Sequence, residues 1–136
     1  MPRKILIADD EPTVVALARQ KLEEHGYAVE TARNGRDAWN IIKTVPIDLI
    51  VLDVIMPIMD GIETLRALKA LNPDCVVVML TSLANRQTID DAAALGAANY
   101  IRKDAPPEDI GRALSDTIDS CFEFDDSEAG TPPPET

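Results

Sequence analysis

Three aspartates follow apolar segments of the chain at positions where they could act together. Asp53 follows the apolar residues 49–52, while Asp9 and Asp10 follow residues 4–8. If both segments are strands of one parallel sheet, their carboxyl ends open at the same edge, where α/β folds place their binding sites. Two carboxylates ~4 Å apart repel by about 4 kcal/mol at an effective dielectric of ~20, so the group needs a cation. Hard oxygen ligands of this kind suit Mg²⁺.

Two further polar residues end apolar segments in the same way. Thr81 follows residues 76–80, and Lys103 follows residues 99–102. A lysine ammonium on its flexible stem can reach a phosphate oxygen, and a threonine hydroxyl can donate to one. Each residue alone has an ordinary explanation as a helix cap, a turn residue or a solvated charge. Together with the aspartates, however, they are typical of a phosphoryl-transfer site.

Five short apolar segments alternate with segments of helical period along the chain. The short segments predict buried strands, and the periodic ones predict helices that cover them. Strands are predicted at residues 5–8, 28–32, 47–52, 76–80 and 99–102, and helices around residues 14–22, 38–42, 62–68, 89–95 and 110–118. Such β-α units favour a parallel sheet covered on both faces.

Turn and helix-end residues agree with these elements. Pro12 suits a first helical turn, and Pro107 can open the last helix. Gly26 and Gly96 stand where helix C-terminal glycines would, and Asn34-Gly35 is a turn dipeptide.

The composition indicates one globular domain of 136 residues with a net charge of −11. Five of the 24 acidic side chains lie in residues 122–136, which contain no Lys or Arg. No clustered basic residues are present, so we expect no nucleic-acid contact. Cys75 and Cys121 suggest neither a metal site nor a disulfide. No signal peptide or membrane span is predicted, and we expect a cytoplasmic protein.

The motifs in combination resemble the receiver domains of two-component response regulators. The resemblance covers residues 3 to about 121 and includes the acid pair Asp9-Asp10, Asp53 with the following Met56-Pro57, and the approach to Lys103. It implies a flavodoxin-like α/β fold with a five-stranded parallel sheet in the order 2-1-3-4-5 and five helices.

The resemblance also implies roles for the site residues. Asp53 would be the phospho-acceptor, with Lys103 in contact with the phosphoryl group. Mg²⁺ would be bound directly by Asp10 and Asp53, largely through water by Asp9, and by the backbone carbonyl of Ile55.

A conformational switch is implied as well. Thr81 would donate to the phosphoryl group and move inward, and Tyr100 would follow it. The face formed by residues 85–120 would then change for partner binding. A phosphoryl group brings about −2 charge and three acceptor oxygens, which is an adequate trigger.

The chain departs from the receiver pattern at named residues. Lys103 is followed by Asp104, where receivers commonly have a proline in a cis bond. The residues two beyond Asp53 and two beyond Thr81 help to orient the attacking water in receivers. Here they are Ile55 and Leu83, which cannot hold that water by a hydrogen bond. We therefore expect a comparatively long-lived acyl phosphate.

Two alternatives from other classes fail at particular residues. A phosphatase of the haloacid-dehalogenase type needs a second aspartate two residues after the nucleophile, where this chain has Ile55. A flavodoxin needs a hydroxyl- and glycine-rich phosphate loop after the first strand. The acidic triplet Asp9-Asp10-Glu11 at that place would repel a flavin phosphate.

The domain organisation leaves two interpretations open. Residues 1–121 are predicted as the receiver domain and residues 122–136 as an acidic, proline-containing tail or linker, expected to be disordered. The chain is then either a stand-alone regulator, which we favour, or a receiver module of a longer protein with an output or kinase domain. The expected partners are a histidine kinase or phosphotransfer protein and a downstream protein target, with a phosphorylation-dependent dimer as a further expectation. We expect a non-enzymatic phospho-acceptor.

Overall fold

The computed structural model describes residues 3–53, 61–81, 86–103 and 106–130, with the backbone alone for residues 61, 81, 86–89, 107 and 123–130. Strands and helices alternate along these ranges. The strands are β1 (Lys4–Ala8), β2 (Ala28–Ala32), β3 (Leu49–Asp53), β4 (Val76–Thr81) and β5 (Asn99–Arg102). The helices are α1 (Pro12–Glu24), α2 (Gly35–Thr44), α3 (Gly61–Leu71), α4 (Arg86–Ala94) and α5 (Pro107–Gly130).

The five strands form one parallel sheet in the order β2-β1-β3-β4-β5, which confirms the predicted order. Ala8 is in register with Leu52, and Asp53 is in register with Leu80. Strands β1, β3 and β4 therefore end within two residues of each other. Because they are parallel, the residues that follow them share one edge of the sheet. We call it the carboxyl edge, and the opposite one the amino edge.

Two apolar clusters pack on the two faces of the sheet. Ile5 and Ile7 of β1 belong to the cluster beneath α1 and α5, whereas Leu6 and Ala8 belong to the one beneath α2, α3 and α4. Side chains alternate between the faces of a strand, so a strand covered on both sides is apolar at every position. This explains why β1 and β3 appear in the sequence as continuous apolar segments.

Helix ends follow the local sequence, with one correction. Pro12 lies in the first turn of α1, and Gly26 and Gly96 have φ values of 93° and 97° just beyond α1 and α4. Glycine adopts this left-handed conformation without the steric cost that a Cβ imposes. Asn34 is the N-cap of α2 rather than part of a free turn, and its side chain accepts a 2.8 Å hydrogen bond from the Asp37 backbone N–H.

The last helix extends further than predicted. Helix α5 continues to Gly130, so the backbone of residues 122–130 is helical, whereas the sequence predicted that a tail or linker begins there; that residues 122–136 lie outside the receiver domain stays a prediction. As far as Phe122 the continuation has a physical reason, because this residue extends the four-residue spacing of Ile110, Leu114 and Ile118 and is buried with them. Residues 131–136, the remainder of the predicted tail, lie outside the described residues.

A polar and aromatic cluster closes the amino edge. The Asp119 carboxylate of α5 accepts a 2.5 Å hydrogen bond from the Tyr27 hydroxyl and lies 2.8 Å from His25 Nδ1. Tyr27 also packs against Phe122, with the ring centroids 5.8 Å apart, and the Arg3 guanidinium lies 4.4 Å from the Phe122 centroid. These contacts tie the end of α1 and the start of β2 to α5. Along the described part of the chain, no helix is both long and apolar enough to cross a membrane.

Candidate functional site

The carboxyl edge brings the three predicted aspartates together. Asp9 and Asp10 follow β1, and Asp53 is the last residue of β3, the next strand in the sheet. One carboxylate oxygen from each lies within 4.8 Å of the others. Asp9 and Asp53 are buried, at 2% and 3% exposure, whereas Asp10 is exposed. We call these three residues the acid pocket.

Lys103 extends from the end of β5 into the acid pocket. Its Nζ lies 3.1 Å from Asp53 Oδ2 and 3.0 Å from Asp9 Oδ2, and it also contacts the Glu11 carboxylate. The Lys103 side chain is only 4% exposed. The repulsion among the acids therefore has a cation within the chain to offset it, even without a metal ion.

The protonation equilibria of the pocket reflect burial and close pairing. Burial raises the pKa of Asp9 above its ordinary value, against the lowering effect of the Glu11 backbone N–H and of Lys103. Burial alone would lower the pKa of Lys103. Its contacts with Glu11, Asp9 and Asp53 outweigh that effect, so the pKa of Lys103 is raised. Lys103 is thus charged at neutral pH.

The donor set of the acid pocket fits Mg²⁺. Asp9 Oδ1 accepts hydrogen bonds from the Glu11 backbone N–H at 2.8 Å and from Lys103 at 3.2 Å. Asp9 Oδ2, though buried and near the Lys103 ammonium, has no hydrogen-bond partner among the described residues. A buried carboxylate oxygen without a hydrogen bond, beside two other carboxylates, is suited to a hard divalent cation. Asp9, Asp10 and Asp53 are the residues that would hold it.

The other predicted site residues are placed as follows. Thr81 ends β4, one residue beyond the partner of Asp53, so its backbone lies at the carboxyl edge. Tyr100 lies in β5 and is 43% exposed, so it stands on the surface next to β4. Ile55, Leu83 and Asp104 lie outside the described residues, as does Asn85 at the start of the predicted face.

The sequence did not predict the role of Glu11 as a partner of Lys103. Its carboxylate contacts the Lys103 ammonium, and its backbone N–H donates to Asp9. The available signal was the run of three acids after β1. Two of them were interpreted as metal ligands, and the third was considered only for its repulsion of a flavin phosphate.

The fold and the site together define a flavodoxin-like α/β domain with an acid pocket and a buried lysine at the carboxyl edge. The family model of the response regulator receiver domain matches residues 5–115. The chain belongs to this family and is thus a receiver domain of two-component response regulators. Receiver domains are signalling switches that bind Mg²⁺ at an acidic pocket.

Curated relatives of two lengths are similar to the chain. It is 31% identical to the chemotaxis protein CheY of Halobacterium salinarum, over 87% of this chain and 98% of that protein. It is 33% identical to the response regulator GtcR of Aneurinibacillus migulanus, over 94% of this chain but 52% of that protein. It is 38% identical to the transcriptional regulatory protein PhoP of Bacillus subtilis, over 81% of this chain and 46% of that protein. The chain thus spans about half the length of the latter two.

Solved receiver structures have the same fold. A CheY-like receiver domain from Methanospirillum hungatei superposes with a TM-score of 0.79 at 27% identity, covering 91% of this chain and 99% of that one. The CheX-CheY-BeF3-Mg complex of Borrelia burgdorferi gives a TM-score of 0.80 at 28% identity, covering 90% of each chain.

Proposed function

We propose that this chain is a phosphorylation-dependent switch that accepts a phosphoryl group on Asp53 from a histidine kinase or a phosphotransfer protein. The observation that carries the proposal is the buried Lys103 ammonium, 3.1 Å from Asp53 Oδ2 at an edge shared with Asp9 and Asp10. A structural ion pair would need one acid. Three acids around one buried lysine leave carboxylate oxygens that a metal and a phosphoryl group can use.

The transfer follows from the positions of these groups. A carboxylate oxygen of Asp53 attacks the phosphorus atom of a phosphohistidine, the P–N bond breaks, and its electron pair returns to the imidazole. Asp9, Asp10 and Asp53 would hold Mg²⁺, which would supply charge neutralisation for the incoming phosphoryl group. Lys103 neutralises further charge from within the protein, because its ammonium already lies beside the acceptor oxygen.

The output is a change of surface at residues 85–120. Thr81 donates to the new phosphoryl group, and the half-exposed Tyr100 of the neighbouring strand turns inward behind it. With Ile55 and Leu83 unable to hold an attacking water, the acyl phosphate persists long enough for a downstream protein target to bind this surface. Phosphorylation-dependent dimerisation through it is part of the same proposal, as is a cytoplasmic site of action.

Two arrangements of this switch are consistent with the relatives. The chain covers 98% of a chemotaxis protein, a match that a stand-alone regulator and a receiver module would both give, and we retain the stand-alone regulator as the main proposal. The coverage of about half of the transcriptional regulators favours a module of a longer protein.

The test is intact mass spectrometry after incubation with acetyl phosphate, with and without Mg²⁺. We expect the wild-type protein to gain one phosphoryl group only when Mg²⁺ is present, and Asp53→Ala to gain none. Asp119→Ala, which removes an aspartate at the amino edge, is the matched control and should be phosphorylated as the wild type is. A folded wild-type protein that gains no phosphoryl group would contradict the proposal.

The decay of the phosphorylated protein after removal of acetyl phosphate tests the proposed stability of the acyl phosphate. Persistence over many minutes is expected. A half-life of seconds to a few minutes would contradict the roles assigned to Ile55 and Leu83.

A further inference from the structure

The hydrogen-bonding capacity of Lys103 is already used in the unphosphorylated protein. An ammonium group has three N–H donors. The Lys103 ammonium meets three carboxylates, those of Asp9, Asp53 and Glu11. A phosphoryl group on Asp53 takes over the N–H that Asp53 accepted, and it can gain a second N–H of Lys103 only if Asp9 or Glu11 releases one.

The three acids differ in what release would cost. Asp9 is buried and accepts a hydrogen bond from the Glu11 backbone N–H, so water could not solvate its carboxylate if Lys103 moved away. Asp53 carries the phosphoryl group itself. The Glu11 side chain is 57% exposed, so water can solvate its carboxylate once it leaves the lysine. Glu11 is the partner that can be released at the lowest cost.

The Glu11 side chain has no competing structural role among the described contacts. Glu11 is the N-cap of α1, yet its side chain makes no capping hydrogen bond there. Glutamate is a poor N-cap compared with Ser, Thr, Asp or Asn. Its carboxylate contacts Lys103 instead, which is 92 positions further along the chain.

We propose that Glu11 is a positioning residue for phosphoryl transfer. Its carboxylate keeps one N–H of Lys103 from the phosphoryl group on Asp53 until a phosphoryl oxygen displaces the Glu11 carboxylate. The inference rests on the proposed phosphorylation of Asp53. The loss of one partly exposed ion pair is part of the barrier to phosphorylation. Glu11 thereby sets how readily the domain accepts a phosphoryl group, although it is neither the acceptor nor a proposed metal ligand.

The test is the phosphorylation rate of Glu11→Gln, which keeps the shape of the side chain and removes its charge. With saturating Mg²⁺ and acetyl phosphate, intact mass should show phosphorylation about fivefold faster than in the wild type, the factor expected from one such ion pair. Glu24→Gln is the matched control. Glu24 is 54% exposed and lies 3.6 Å from a lysine, Lys21, but outside the acid pocket. It should react at the wild-type rate.

A second phosphodonor distinguishes two explanations for faster phosphorylation of Glu11→Gln. One is the release of Lys103, and the other is the loss of repulsion between the Glu11 carboxylate and a negatively charged donor. Acetyl phosphate is a dianion at neutral pH, whereas phosphoramidate is largely a monoanion. If Glu11 acts through Lys103, Glu11→Gln should accelerate both reactions by a similar factor. Acceleration with acetyl phosphate alone would mean that Glu11 merely repels the donor, and would overturn the inference.

The remaining outcomes are also decisive. Equal rates for the wild type, Glu11→Gln and Glu24→Gln would overturn the inference about Glu11 and leave the proposed function intact. No phosphorylation of the wild type by either donor would overturn both. Because one partly exposed ion pair contributes at most about 1 kcal/mol, Glu11→Gln should remain folded with thermal unfolding close to that of the wild type, so a rate difference reports on the reaction rather than on folding.

Discussion

Both edges of the sheet pair aspartates with basic side chains, but the burial of these groups differs between the edges. At the carboxyl edge, Asp9, Asp53 and Lys103 are almost fully buried, and Asp9 Oδ2 has no hydrogen-bond partner among the described residues. At the amino edge, the paired His25 and Asp119 side chains are 33% and 44% exposed. Both Asp119 oxygens have partners there, one in the Tyr27 hydroxyl and the other in His25.

The difference indicates how each edge contributes to the free energy of unfolding. At the carboxyl edge, the burial of Asp9 outweighs the effect of its contact with Lys103, whereas the contacts of Lys103 with three acids outweigh its own burial. Exposed charges carry little cost and contribute little. The stability of the amino edge comes instead from Phe122, which is 3% exposed and packs against Tyr27 and Arg3. The carboxyl edge thus holds charged groups out of water, whereas the amino edge gains stability from a buried aromatic ring.

The largest effect is expected from Phe122→Ala at the amino edge. Removal of this buried ring leaves a cavity beneath α5 and should lower the free energy of unfolding by about 3 kcal/mol. Urea unfolding, followed by circular dichroism, measures the change. Phe122→Leu, which keeps most of the apolar volume, should lose less than half as much. If Phe122→Ala were as stable as the wild type, the anchoring role of α5 at this edge would be wrong.

The next effect is expected from Lys103→Met at the carboxyl edge. Without Mg²⁺ this variant leaves Asp9 and Asp53 without their cation and should lose about 2 kcal/mol of stability. Added Mg²⁺ should stabilise the variant more than the wild type, because lysine no longer competes for the carboxylates. Urea unfolding with and without Mg²⁺ gives both quantities. Lys21→Met, which removes an exposed ion pair, is the control and should change little.

A smaller effect of opposite sign is expected from Asp9→Asn. Because burial raises the pKa of Asp9 above its unfolded value, its contribution to stability is present below the unfolded pKa and is lost as the pH rises through the folded pKa. Asparagine does not ionise, so it loses no stability as the pH rises, and its side-chain oxygen can still accept the hydrogen bond from the Glu11 backbone N–H. The variant should therefore be about 1 kcal/mol more stable than the wild type at pH 7 without Mg²⁺.

Unfolding of Asp9→Asn and the wild type across the acid pH range checks this expectation. The two proteins should converge at low pH, where Asp9 is protonated, and diverge as the pH rises. A wild-type protein that is the more stable one at pH 7 in the absence of Mg²⁺ would show that pairing with Lys103 outweighs the burial of Asp9.

The smallest effect is expected from Asp119→Asn, the same substitution at the amino edge. Asparagine keeps an acceptor for Tyr27 but removes the carboxylate that faces His25 Nδ1, so we expect a loss of about 0.5 kcal/mol. The same unfolding measurements apply. A gain in stability here, as for Asp9→Asn, would remove the distinction between the two edges.

Much of the fold could be predicted because its signals are local. Each strand was predicted within two residues of its observed bounds, since buried strands are short apolar segments between turns. Pro12, Gly26 and Gly96 marked helix ends through the backbone conformations that they favour. The extension of α5 was missed although Phe122 continues its four-residue apolar spacing, because one apolar residue in an acidic stretch of sequence is a weak pattern.

The sequence was enough to predict that the acids and Lys103 meet at the carboxyl edge, but not which of these side chains contact each other. The acids and Lys103 were identified because each follows a strand, and parallel strands end at one edge. The role of Glu11 was not, since it depends on a contact between residues 92 positions apart in the chain.

The sequence by itself determined which segments are buried, which residues stand at the strand ends, and that three acids would need a cation. Burial and turn patterns depend on residues that are close in sequence, so they can be recognised without knowledge of the tertiary fold. Only the tertiary structure decided which cation meets which acid. Lys103 reaches Asp53 across 50 positions and Asp9 across 94, and side chains so far apart in sequence meet only through the order of the strands.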